Sequence, residues 1–282
     1  MRTRRGGVVL ALVTGVAASG VAHAALWDRG GGLLYDDVLN VTWLQDANYA
    51  RSELSNARVN EIVAAVNAAS PSWLGGHVMS ASDFEMPGVS YTGYMTWWGA
   101  MAWADQLQYG GLADWRLPVM VFPGTGSFSF SNNGTATAGY GATGSGYGTP
   151  TPTGGWGPAG DPDGLWSELG WMYYHNLGNR GLPVAGGGLT STSTPDGVTI
   201  ANLRSDNWYW SGTEYAADPS NAWDFGMGIG YQGPIAKASQ SGGIDIYTDL
   251  AWAVRPGDVP LPGAGLLLAS ALTGLAWVRR RR

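Results

Sequence analysis

Four carboxylates, Asp206, Glu214, Asp218 and Asp224, fall close together in a stretch that also carries Trp208, Tyr209, Trp210 and Trp223. Paired carboxylates serve as general acid and base or hold calcium, and indole and phenol rings stack on the apolar faces of sugars. Glu214 and Asp218 lie among turn-forming residues, which accounts for them as surface turns. Tyr209, Glu214 and Asp224 are the candidate ligand-binding residues. The sequence nominates no catalytic set, no metal ligands and no cofactor; calcium is the one ion its carboxylates would suit. The chain contains no cysteine, so disulfides, thiol nucleophiles and Cys-ligated metals are excluded. Neither a G-x-S-x-G elbow nor an H-E-x-x-H helix occurs, and Asp161-Pro162-Asp163-Gly164 lacks the ligand alternation of a calcium loop.

The elements that must position these residues read as strands. In Asn207–Ser211, Trp208 and Trp210 share one side and Tyr209 the other, because side chains alternate along a strand. In Ala222–Tyr231, Trp223, Phe225 and Met227 share a face, while Asp224, Gly226 and Gly228 form an opposite face with little bulk. The expectation is that the Trp208/Trp210 face meets the Trp223/Phe225 face in the core. Any ligand would then approach on the Tyr209, Asp224 and Gly226 side. Tyr247–Val254 reads as a third strand, completing an antiparallel meander.

Upstream, Leu33–Tyr35 and Val41–Leu44 read as short strands after the Gly30-Gly31-Gly32 turn. Ser52–Ala69 takes the helical period, with Leu54, Ile62, Ala65 and Val66 on its apolar face. Thr96–Leu107 is a second helix, and Asp163–Leu177 a third. Asp114–Pro118 returns as a short strand. Between them, the stretch at about 123–162 is rich in Gly, Ser, Thr and Pro without an apolar period and reads as a flexible insertion.

Both ends differ in character from this body. Met1–Ala24 has three arginines, an apolar run and Ala22-His23-Ala24 before Ala25, the pattern of a secretory signal peptide cleaved between Ala24 and Ala25 by signal peptidase. After Val259-Pro260-Leu261-Pro262, the apolar run Gly263–Val278 leads to Arg279–Arg282. Such a run reads as one membrane helix with a cytoplasmic basic end. Without the seven terminal arginines, 8 basic residues face 21 acidic ones, a net charge of −13. Such a surface repels nucleic acid. Lys237 is the only lysine.

Trp115–Pro118 (WRLP), followed downstream by YWSGTEY, AWDFGMG, a single lysine and AVRP, resembles the bacterial domain family known from the C-terminal domain of a collagen-like adhesin. The opening LWDRGGGLLYDDVLNVTWLQDANYA is similar to that of the secreted members. The C-terminal segment resembles a PEP-CTERM sorting signal of the VPLP type. The resemblance implies residues 25–257 as an extracellular α+β domain with the C-type-lectin-like fold, having short antiparallel strands, two to three helices and long loops. It also implies residues 258–282 as a sorting segment handled by an exosortase-like processing peptidase.

Some proteins of that fold are enzymes, notably the formylglycine-generating enzymes, which hold copper with cysteines, and the sulfoxide synthases, which need a three-histidine iron site. This chain has no cysteine, and only His77 and His175 remain after signal removal. The expected function is non-enzymatic: adhesion or contact with extracellular polysaccharide. The expected route is export through an inner-membrane-anchored intermediate to the surface or matrix of a Gram-negative bacterium. A carboxylate-dependent hydrolase and a purely structural matrix protein are the alternatives.

Overall fold

The computed structural model describes residues 26–84, 93–121, 146–147, 166–181, 187–239 and 249–259. The signal-peptide and tail readings at 1–25 and 260–282, and nearly all of the insertion, lie outside the described residues. Among the described residues, no helix is long and apolar enough to cross a membrane.

The first hairpin forms as its sequence dictates. Strand β1 (Leu26–Gly30) turns through glycines at positive φ into β2 (Leu33–Asp36), and β3 (Val41–Leu44) pairs antiparallel with β2. Asp36 closes the β2–β3 turn by accepting the backbone N–H groups of Val38 and Leu39, at 3.0 and 2.9 Å.

The helix expected from Ser52 is broken in two. Leu54 is extended and buried, separating α1 (Ala50–Glu53) from α2 (Asn56–Ala69). Ser55 then caps α2 by accepting the Arg58 N–H at 3.2 Å, satisfying a donor that would otherwise be orphaned at the helix start. The buried stripe of α2 is Val59, Ile62 and Val66, whereas Ala65 is exposed. Helix α3 (Trp97–Asp105) begins at Thr96, whose Oγ1 accepts the Gly99 N–H. It is buried on nearly all sides, from Trp97 and Ala100 to Trp103.

Strand β4 (Met120–Val121) pairs with β6 (Trp166–Ser167), and between them in sequence β5 (Gly146–Tyr147) is the one described part of the insertion. The third expected helix is short: α4 (Glu168–Trp171) passes into a π-helical turn at Met172–Asn176. Of the strand expected at Asp114–Pro118, only a bridge between Arg116 and Val254 forms.

The central sheet departs from the expected meander. Its order is β10 (Asp249–Leu250), β7 (Trp208–Glu214), β8 (Asn221–Gly226), β9 (Tyr231–Ala236) and β5. The third strand of the meander is β9, because Met227–Gly230 is a turn rather than strand; Gly230 has φ 71°, and its N–H returns to the Gly226 carbonyl at 2.8 Å. A Cβ at Gly230 would lie 2.5 Å from the Tyr174 hydroxyl oxygen, so only glycine fits there. The last segment splits: β10 pairs parallel with β7, while β11 (Val254–Pro256) joins the first sheet beside β3.

The register also reverses the expected faces. Trp210 stands opposite Asp224 and Trp208 opposite Gly226, whereas Tyr209 stands opposite Phe225. Directly opposed residues in an antiparallel pair point to one side, so the tryptophans share a face with Asp224 and Gly226. The close fit of the Trp208 ring confirms it, since a Cβ at Gly226 would come within 3.2 Å of that ring. Both faces are covered. Trp210 donates its Nε1–H to the Met95 carbonyl just before α3, and Phe225 packs against Tyr173 and Tyr174 on the other side.

Candidate functional site

The three nominated residues do not converge. Tyr209 is fully buried, on the face opposite Asp224, and its ring packs on Trp252. Its hydroxyl accepts the Arg204 backbone N–H at 2.9 Å. Glu214 is exposed and ion-paired with Lys237, whose ammonium lies 4.3 Å from the Trp97 ring centroid and 5.9 Å from that of Trp98. A cation over an indole face is held by the ring quadrupole, so the single lysine is fixed by Glu214 on one side and two tryptophans on the other.

Asp224 is inside the protein, within hydrogen-bonding reach of Asp249. Neither oxygen of Asp249 meets an N–H or O–H donor. Burial, more than the neighbouring charge, raises the Asp224 carboxyl well above its ordinary range, and burial pushes Asp249 up to about 7. Two carboxyls so placed are satisfied by holding one proton between them. The remaining acidic residues of the stretch are separately engaged. Asp206 takes both Arg204 nitrogens at 2.9 and 2.8 Å, and Asp218 accepts from Ser220 and Asn221.

An open polar cleft of about 330 Å³ lies elsewhere, lined by Asp46, Asn48, Arg51, Ser52, Asn202 and Arg204. It is built from the β3–α1 loop with α1 itself and from a segment far away in sequence, before β7. The Ala47 N–H donates to the Ala201 carbonyl at 2.9 Å and the Ala201 N–H to the Gln45 carbonyl at 2.8 Å, stitching the end of β3 to the segment before β7. Asp46 is held by two donors: the Asn48 N–H reaches Oδ1 and the Asn202 side-chain amide reaches Oδ2, each at 2.9 Å. Asn202 adopts φ 53°, a left-handed conformation that asparagine tolerates better than most residues. Arg204 is fixed on both sides, by Asp206 and through the Tyr209 hydroxyl. Tyr209 therefore bears on this cleft as a support of its wall, not as a lining residue.

Arg51, exposed on α1, has no side-chain partner among the described residues. The cleft thus joins a preset carboxylate acceptor, carboxamides of both polarities and a guanidinium with free donors. Such a set can bridge adjacent hydroxyls on a saccharide ring. A second, shallower groove of about 490 Å³ runs past Asn67, Ser70 and His77, where His77 stacks on Trp98 at 4.0 Å and bonds to Asp83 through Nε2. Neither Asp224 nor Asp249 lines either opening. His175 stacks on Trp171, away from any histidine cluster, and burial lowers its imidazole to about 4. Among the described residues, no group of three or more His, Asp or Glu is placed to hold a metal.

Of the sorting-motif residues, Val259 is described and is buried against the core; Pro260, Leu261 and Pro262, like Ala24 and Ala25, lie outside the described residues. The cleft was not nominated from sequence. Asp46 and Asn202 are common loop residues, and nothing in one chain of letters marks loops some 150 positions apart as neighbours. No family model, curated protein or solved structure matches this chain.

Proposed function

We propose that this is an exported, surface- or matrix-associated binding protein whose C-type-lectin-like domain contacts extracellular polysaccharide without turning it over. The observation that supports this reading is the Asp46–Asn202–Arg51 cleft, an open and pre-positioned hydrogen-bonding surface of the size small ligands use. The carboxylates that a hydrolase would need are engaged singly, or buried as the Asp224–Asp249 pair, which favours binding over hydrolysis. The proposed route is signal-peptidase cleavage at Ala24–Ala25, a membrane-anchored stage, and processing near Val259–Pro262 by an exosortase-like peptidase in a Gram-negative host.

The test is a glycan array probed with the signal-processed chain, with and without calcium, alongside Arg51→Ala. Arg51 is exposed and has no side-chain partner among the described residues, so its truncation should leave the fold intact. Retention of particular saccharides by the wild type, weakened at least tenfold by Arg51→Ala, is the expected result. Absence of any saccharide binding, or turnover of a bound saccharide, rejects the reading.

A further inference from the structure

We propose that the outer face of the β1–β2–β3–β11 sheet rests on the lipid headgroups of the membrane that holds this chain's own C-terminal segment. The inference rests on the membrane-anchored stage proposed above. The register aligns Trp27 with Tyr35, Tyr35 with Thr42, and Thr42 with Arg255 on one face; Thr42 is buried, so that face meets solvent at Trp27 and Tyr35 and, at its other edge, Arg255. Trp27 is 50% exposed, one of the two large apolar side chains most open to water among the described residues. The Arg29 guanidinium lies 5.0 Å from the Tyr35 ring centroid on the same face. Exposed tryptophan and tyrosine with flanking arginine suit the headgroup layer, where ring bodies enter apolar surroundings and polar ends stay wet.

The exit of the chain puts this face next to the bilayer. Arg29 grips Asp258 through two bonds of 2.8 and 2.6 Å, the Gly257 N–H donates to the Asn40 carbonyl, and the Thr42 hydroxyl donates to the Gly257 carbonyl. Val259 is buried, so the fold holds the chain up to that residue. Only Pro260, Leu261 and Pro262 separate it from the apolar run Gly263–Val278. Three residues reach at most about 11 Å, which leaves no length for the domain to stand clear of the headgroups. Arg29 is matched with Asp258 and Arg255 with Asp114, and the Trp27 Nε1–H donates to the Asp37 carboxylate at 3.0 Å, so the face carries no surplus of positive charge. Docking therefore depends on the tether and the aromatic rings, not on anionic lipid.

The absence of cysteine makes the test direct, since one introduced thiol is the only label site. Asp37→Cys, at the rim of the face beside Trp27, and, as the comparison, Val78→Cys, which is 74% exposed on the segment before α3, would each carry a bimane fluorophore. The signal-processed full chain would be reconstituted into phosphatidylcholine vesicles containing a lipid with a nitroxide on its headgroup. Quenching at position 37 at least threefold stronger than at position 78, and unchanged in 1 M salt as a face without surplus positive charge requires, is the expected result. Equal quenching at both positions, or stronger quenching at 78, overturns the docking face while leaving the anchor in place. A chain that does not associate with the vesicles overturns the anchor, and the docking face with it.

Discussion

In the β1–β2–β3–β11 sheet, both arginines meet a carboxylate at the surface: Arg29 meets Asp258, and Arg255 meets Asp114. In the central sheet, Asp224 meets a second carboxyl, Asp249, with both residues almost wholly withdrawn from water. The first sheet meets solvent along its β1–β2 edge, at Trp27, Arg29 and Tyr35, while β3 is buried throughout; the second is packed on both faces. Water decides the outcome. Where it has access, ion pairs are screened and contribute little; where it is excluded, a carboxyl keeps its proton and every ring and dipole counts for more.

The largest test of this contrast is a pair of tryptophan truncations. Trp210 is fully buried, and its Nε1–H bonds to the Met95 carbonyl, so Trp210→Ala should cost about 3–5 kcal/mol through lost burial and a cavity. Trp27→Ala, on the solvent face, should change stability by no more than about 0.5 kcal/mol. Urea unfolding of both variants measures the difference, and similar losses would break the contrast.

A buried pair of opposite sign should behave differently from the carboxyl pair. Glu168 is fully buried and takes both Arg116 nitrogens at 2.6 and 2.8 Å, together with the Val119 N–H at 2.7 Å. Glu168→Ala leaves those donors without their acceptor. The loss should fall toward the lower end of about 3–5 kcal/mol, because a third of the Arg116 side chain remains in water. Chemical denaturation at pH 7 reads it.

The carboxyl pair is exposed by pH. Asp249 rises from 3.8 to about 7, Asp224 rises with it, and Asp36 rises to about 6, all chiefly from burial. A carboxyl raised on folding stabilises fully below its unfolded value and loses that contribution as pH climbs through the folded value. His175 runs the opposite way. Lowered from 6.5 to about 4, it contributes above 6.5 and loses that as pH falls. Between pH 4 and 6 the single histidine offsets only part of the loss from Asp36 and the carboxyl pair, so stability already declines there. Above 6.5 the carboxyl pair remains, so stability should fall from pH 6.5 to 8, by at most about 1.4 kcal/mol per pH unit for one proton. Asp249→Asn should flatten that limb in a series of thermal melts; an unchanged slope would place the proton elsewhere.

The β2–β3 part of the outer sheet was legible in the sequence because its strands are short apolar runs set off by a glycine turn; β11 was read into the other sheet. Gly30-Gly31-Gly32 turns where the residues alone indicate. The central sheet misled because both faces are buried. Its alternation is large against small, Trp210 beside Asp224 and Trp208 over Gly226, instead of apolar against polar, so composition could not orient it. The glycine run read as strand is the β8–β9 turn. The Ser52 start failed because the Ser55 cap outcompeted continuation of the helix. The cleft was illegible for another reason: Asp46 and Asn202 become neighbours only through backbone bonds between distant loops.

The smallest expected effect probes the wet side of the contrast. Arg255 reaches Asp114 through two bonds of 3.1 Å, and 57% of the Asp114 side chain is exposed. Asp114 also adopts φ 63°, so alanine there would confound lost charge with backbone strain. Asparagine tolerates that conformation and removes only the charge. Asp114→Asn should therefore cost between 0 and about 1 kcal/mol in low salt, and 0.5 M NaCl should erase the difference, because a Debye length of only a few ångströms screens an exposed pair. Matched denaturation curves at both ionic strengths decide it. A loss above 2 kcal/mol that survives salt would mean that this pair is shielded from water, and that the two sheets differ less in their surroundings than their exposures indicate.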